Sequence, residues 1–150
     1  MTTEPATALA VFTADCAPVA LASPEGVVGV AHAGWRGLVA GVLARTVAEM
    51  RALGAGRVVA GLGPCVHPEC YEFSPEDLAV AAAAVGGDVR ARTSEGRPAL
   101  DLPGGVRAAL AAAGAELVLD VDRCTACSGE LFSHRARGDR GRQAVVAWRA

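Results

Sequence analysis

The sequence contains no lysine, no asparagine and no isoleucine, and all 14 of its basic residues are arginine. Codons for the missing residues are AT-rich, so the bias reads as a GC-rich coding sequence, and an arginine here carries no functional weight by its type alone. There is no basic block and no polyanionic tail. The 14 basic and 16 acidic residues are mixed, for a net charge of −2, which argues against a nucleic-acid partner. Long hydrophobic runs are also lacking: glycine or a charge breaks each apolar stretch before it could span a bilayer. Met1-Thr2-Thr3-Glu4-Pro5 has none of the positive charge that opens a signal peptide. The expectation is a cytoplasmic chain with no membrane contact. Histidine is scarce, at three residues, too few for a multicopper cluster.

What remains is enough to fold. A length of 150 residues with 52% hydrophobic content fits a single α/β domain, residues 1–150, with a real core. Five cysteines is an odd number in a chain without an export signal, so reduced thiols are expected rather than a disulfide framework.

Residues Ala8–Thr13, Val19–Ala22 and Val27–Ala31 read as strands. Pro24-Glu25-Gly26 supplies a turn that would make the second and third a hairpin. Val39, Val42, Leu43, Val47 and Met50 recur at three- and four-residue spacing, predicting one helix over Leu38–Leu53 that stops at Gly54. Val58–Leu62 reads as a buried strand and Gly63–Tyr71 as a loop. Ser74-Pro75-Glu76-Asp77 is a strong helix start, with the helix running to Val85 and stopping at Gly86-Gly87. Pro103 opens a further helix to Ala113, and Leu117–Val121 and Ala144–Trp148 read as strands. The alternation predicts a layered mixed sheet with flanking helices.

Chemistry concentrates in Thr13-Ala14-Asp15-Cys16 and in Ala31-His32-Ala33-Gly34-Trp35-Arg36-Gly37. Cys16 and His32 are each expected where an apolar strand gives way to a tight turn. Thiolate and imidazole suit zinc or copper, and they equally make a nucleophile and its base. The bland alternative is a small buried hydrophobe and a capped turn residue. Ala33 and Gly34 would let a ligand approach closely, and Arg36 is placed for an anionic group. Cys124-Thr125-Ala126-Cys127 is a lone C-x-x-C; with Cys65 and Cys70 it could build a four-sulfur zinc site. No knuckle pattern surrounds it, so these four are expected to stay reduced and not to form a four-sulfur zinc site. His67, between prolines, is a solvated loop residue or a third ligand if its loop folds over Cys16. Arg135 and Arg142 lie in a segment that is a solvated loop or an anion- and base-binding element. Asp101 could orient a partner or cap a helix.

These motifs occur in order with Gly63-Pro64-Cys65, Cys70-Tyr71-Glu72, Asp101-Leu102, Cys124-Thr125, Ser133-x-Arg135 and Gly141-Arg142. Together they closely resemble the laccase-domain family, also described as multicopper polyphenol oxidase, peptidoglycan-editing factor and purine nucleoside phosphorylase with adenosine deaminase side activity. The resemblance implies a layered fold shared with certain cysteine hydrolases. It implies a metal, usually zinc with copper possible, held by one Cys and two His, of which Cys16 and His32 match two. Arg36 matches the arginine beside the site. Family members are longer at the N-terminus, where the other ligand histidine lies in a Gln-Val-His-Gly-like motif that nothing here matches. An N-terminally truncated chain is therefore expected, with weak metal binding and an apolar face open to self-association, so a homo-oligomer is possible. The family's Ser-Tyr-Arg-Arg is here Ser133-His134-Arg135-Ala136.

The function implied is metal-dependent phosphorolysis of adenosine, inosine or methylthioadenosine, possibly with adenosine deamination. Cys16, His32 and Arg36 would be catalytic, and Arg36, Arg135 and Arg142 would bind substrate. A Cys–His hydrolase acting on an amide or a peptidoglycan precursor is the alternative. Copper-dependent phenol oxidation and an inactive truncated copy are the others.

Overall fold

The computed structural model describes residues 1–85 and 88–150. Its centre is a four-stranded mixed sheet in the order β3-β2-β4-β7, formed by β2 (Ala17–Ala22), β3 (Val28–Ala33), β4 (Val58–Leu62) and β7 (Ala115–Asp120). β2 pairs antiparallel with both β3 and β4, and β4 pairs parallel with β7. The parallel pair needs a long crossover. It is supplied by α3 (Pro75–Val85) and α4 (Leu102–Ala112), with the short antiparallel pair β5 (Arg90–Arg92) and β6 (Pro98–Leu100) between them. A separate antiparallel ladder joins β1 (Leu9–Thr13) to β8 (Gln143–Ala147).

The expected hairpin is present. Gly26, at φ +87°, turns the chain back, and Ser23 accepts the Gly26 amide at its carbonyl and the Val27 amide at its hydroxyl. Alternation then sorts the sheet's faces. Val19, Leu21, Ala31, Val58, Ala60 and Leu62 point into the core. They pack with Leu43, Val47 and Met50 of α2 (Val42–Ala52) and with Val106 and Leu110 of α4. On the other face β1 and β8 cover part of the sheet. Val118, Leu119 and Trp148 stay more than half exposed there, leaving an apolar strip open.

The single helix expected over Leu38–Leu53 is two. α1 (Trp35–Val39) ends at Ala40, and Gly41 at φ +76° starts α2 on a new axis. The apolar spacing runs on across the break, which is why periodicity alone reads one helix. The stop expected at Gly86-Gly87 lies outside the described residues. β5 and β6 were not expected, nor was α5 (His134–Arg137). Asp101 proves to be a helix cap: its Oδ1 accepts the Gly104 amide at 2.8 Å. No helix is long and apolar enough to cross a membrane among the described residues.

One feature of the β1 end costs stability. Thr13 is buried, and its hydroxyl has no partner among the described residues. An unpaired buried hydroxyl costs about 1–3 kcal/mol, and a methyl group of the same shape removes that cost. Thr13→Val is therefore expected to raise stability by about 1 kcal/mol in a denaturant titration.

Candidate functional site

The site forms where the start of β2, the end of β3 and three loops meet. Ala17 pairs with Ala33 and Pro18 with His32, so Cys16, one step before β2, faces Gly34. In an antiparallel pair this puts Cys16 and His32 on the same face as diagonal neighbours. His32 lies within β3 rather than in the turn after it, because the strand runs on to Ala33. Its side chain is exposed, whereas Cys16 is half-buried. A Cβ on Gly34 would come within 2.8 Å of the Cys16 Sγ, so only glycine leaves the sulfur its place. Burial pushes the Cys16 thiol up, the Asp15 carboxylate pushes the same way, and Arg142 opposes both. No hydrogen bond joins Cys16 to His32 among the described residues.

Asp15, next in sequence, carries the local structure. Its backbone sits at φ +88°, a conformation L residues rarely adopt. Its carboxylate is buried and satisfied by three donors. Oδ1 accepts from the Thr125 hydroxyl at 2.7 Å and the Ser133 hydroxyl at 2.6 Å, and Oδ2 accepts from the Arg135 amide at 2.7 Å. The Asp15 carbonyl accepts the Val66 amide at 2.8 Å. One residue thus ties the β1–β2 bend to the loop after β4, to the C-x-x-C loop and to the start of α5. Ser133, in the segment open between a solvated loop and an anion- and base-binding element, is fully buried. It caps α5 by accepting the Ala136 amide.

Around this knot stands an aromatic group. Trp35 and Tyr71 each meet Phe73 edge-on at 5.2 Å between ring centres. The Arg36 guanidinium lies over Trp35 at 4.6 Å and that of Arg135 over Tyr71 at 4.7 Å. Arg135 also donates to the Glu72 carbonyl. The Tyr71 hydroxyl is pushed up to about 12, chiefly by burial and then by Cys16 and Asp15, with Arg135 and Arg36 pulling it down. Arg135 also borders a cleft of about 400 Å³ lined by Glu72, Phe73, Ser74 and Pro98. Arg142 is placed differently: its Nη1 donates to the carbonyls of Asp139, Arg140 and Gly141, so its guanidinium braces its own loop.

His67 does not complete a site with Cys16. Its ring lies beside Glu69 and Asp122, at 3.7 and 4.0 Å. Three of the four remaining cysteines do come together, Cys70, Cys124 and Cys127, in company with Glu69. Cys65 stays outside that group, buried, with its thiol pushed up to about 12 chiefly by burial. Asp15 and Tyr71 were not singled out from the sequence, although both stand inside motifs that were. Each acts through residues distant in the chain, which local spacing does not reveal.

The family model for multi-copper polyphenol oxidoreductase laccase matches residues 1–150. A protein named purine nucleoside phosphorylase from Streptomyces griseus is 50% identical over 144 residues, covering 94% of this chain and 58% of that protein. One of the same name from Streptomyces coelicolor is 45% identical, covering 99% and 62%. Among solved structures, YlmD from Geobacillus stearothermophilus superposes with a TM-score of 0.83 at 32% identity, covering 99% of this chain and 59% of that one. A YfiH protein from Bacillus licheniformis superposes with a TM-score of 0.87 at 28% identity, covering 99% and 60%. The chain thus spans about three-fifths of the length of the relatives it matches. From the ordered motifs, the mixed sheet and these matches, the chain belongs to the multi-copper polyphenol oxidoreductase laccase family.

Proposed function

We propose that this chain carries the catalytic face of a purine nucleoside phosphorylase. The observations that support it most are the placing of Cys16 and His32 on one sheet face and an aromatic group over which Arg36 and Arg135 lie, in a chain similar to proteins bearing that name.

Cys16 and His32 fit as two ligands of a zinc ion. They are a soft and a borderline donor on one sheet face, and Gly34 leaves room at the sulfur. No third His, Cys, Asp or Glu joins them in a cluster of donors among the described residues. When bound, the metal supplies Lewis-acid stabilisation of charge on a phosphate or water oxygen.

The chain's own residues do the rest. Arg36 is exposed and points a guanidinium past Trp35, so it can pair with a phosphate bidentately. Arg135 is held between Tyr71 and the Glu72 carbonyl, which fixes a second positive charge on the same aromatic group. Two fixed cations stabilise phosphate as it attacks the anomeric carbon. A phosphate oxygen bonds to that carbon as the N-glycosidic bond breaks with its electron pair going to the purine, and the purine nitrogen takes from solvent the proton that hydrogen phosphate gives up. The partly buried Trp35 and the edge of the buried Phe73 that lines the Arg135 cleft offer apolar surface for a base. Asp15 is a positioning residue: it fixes Cys16 on one side and the Arg135 backbone on the other.

A Cys–His hydrolase is supported less well. Its dyad would need a hydrogen bond between thiol and imidazole, and a nucleophilic cysteine needs its thiol pushed down rather than up. Product analysis tests the reading. Inosine with phosphate is expected to give free base and ribose-1-phosphate in equal amounts. Free ribose, or base release that does not depend on phosphate, would overturn it. Conversion of adenosine to inosine would report deamination as a separate activity. The exposed strip of Val118, Leu119 and Trp148 supports association of the chain with a second copy.

A further inference from the structure

We propose that Cys70, Cys124 and Cys127, with the Glu69 carboxylate, form a structural zinc site distinct from the Cys16–His32 pair. The inference does not rest on the phosphorylase reading.

The four donor atoms all lie within 4.8 Å of one another. Ligands of a tetrahedral zinc ion with the usual Zn–S and Zn–O bond lengths stand about 3.5–3.8 Å apart, so small side-chain rotations bring these four to that spacing. The donors come from two segments. Cys124 and Cys127 have the two-residue spacing common in zinc sites. Glu69 and Cys70 close the 3₁₀ turn Pro68–Cys70. A parallel backbone bridge between Cys65 and Cys124 holds the two segments in register, and the Thr125 amide donates to the Cys65 carbonyl.

The surroundings are those of a metal-bound thiolate. The His67 amide donates to the Cys124 Sγ at 3.4 Å. The His67 ring stands 3.7 Å from Glu69, where it can orient the carboxylate from outside the site. Cys70 and Cys127 sulfurs lie 2.9 Å apart. A disulfide between them would use two of the four donors and leave the buried Cys124 sulfur and Glu69 without a role. A zinc ion uses all four. Three thiolates and a carboxylate are a donor set that selects zinc over harder cations. Binding releases the three thiol protons to solvent and changes no oxidation state.

The site would act on the fold. Cys124 and Cys127 flank Thr125, whose hydroxyl reaches Asp15, and Cys70 precedes Tyr71. Zinc would therefore hold two segments that border the Cys16 region, and Glu69 and Cys70 also line a pocket with Arg135.

Cobalt titration of the reduced 150-residue chain tests this. Cobalt in a tetrahedral thiolate site gives an intense thiolate-to-metal charge-transfer band, which zinc then displaces. The band is expected in the parent chain and to persist in Cys16→Ala, reduced at most by the contribution of that single thiolate. Cys127→Ser should weaken cobalt affinity by at least about a hundredfold, since even outer-shell changes cost ten- to a hundredfold. Cys127 is exposed, so that variant should fold, with circular dichroism as the check. Glu69→Ala should weaken affinity without abolishing the band. Absence of the band, its loss in Cys16→Ala alone, or a Cys70–Cys127 disulfide that persists in reductant with zinc present would each overturn the proposal.

Discussion

Cys16→Ala is expected to lower kcat/KM for phosphorolysis by more than about a hundredfold while leaving the fold intact. The magnitude follows from metal sites in general, where even partners that only orient a ligand cost ten- to a hundredfold. The fold should survive because Cys16 is half-buried beside Gly34, and alanine fits where the sulfur stood. Its thermal transition should therefore stay within a few degrees of the parent's. A large loss of stability with activity retained per folded molecule would place the chemistry elsewhere.

Asp15→Ala should fail differently, through the fold. The substitution strands two fully buried hydroxyls, Thr125 and Ser133, and the Arg135 amide. Each buried donor left without an acceptor costs about 1–3 kcal/mol, and removing one partner from a buried charged network typically costs about 3–5 kcal/mol in all. For a chain of this size that corresponds to a melting temperature lower by roughly 6–20 °C. Asp15→Asn keeps one carbonyl acceptor and should recover part of the loss. The same substitutions should lower activity more than stability alone explains, because the bend that aims Cys16 and the start of α5 both hang on this carboxylate. A thermal shift of less than about 2 °C for Asp15→Ala would show that the knot contributes little.

The sheet was legible in the sequence because its signals are local. The hairpin followed from Pro24-Glu25-Gly26, α3 from Ser74-Pro75-Glu76-Asp77, and α4 from Pro103 and the stop at Gly114. What escaped is set by tertiary contact. The break at Gly41 is hidden because Val39, Val42 and Leu43 keep helical spacing across it. β5 and β6 have three residues each, β5 with arginines at the surface and β6 opening on proline, a pattern that reads as loop until the two strands pair. α5 has four residues and three of them are basic or histidine. It exists because Ser133 and Arg135 bond to Asp15, far back in the chain.

The candidate site divides in the same way. Cys16, His32 and Arg36 could be singled out because they stand in short, glycine-rich motifs. The register of β2 on β3 then puts the first two on one face. Tyr71 could not be singled out, since its role depends on Phe73, Arg135 and Cys16 arriving from separate elements. The cysteine cluster was weighed as four sulfurs and set aside for want of a knuckle. The fold replaces Cys65 with Glu69, a substitution that counting cysteines does not suggest.

The central claim is that Cys16 and His32 serve one site. The most direct test is the kcat/KM of the Cys16→Ala/His32→Ala double variant beside those of the two single variants, with inosine and phosphate as substrates. Residues that act as a unit are strongly non-additive. The account predicts that the double variant is no slower than the worse of the two single variants, within about twofold. Losses that multiply, as for two independent sites, would contradict it.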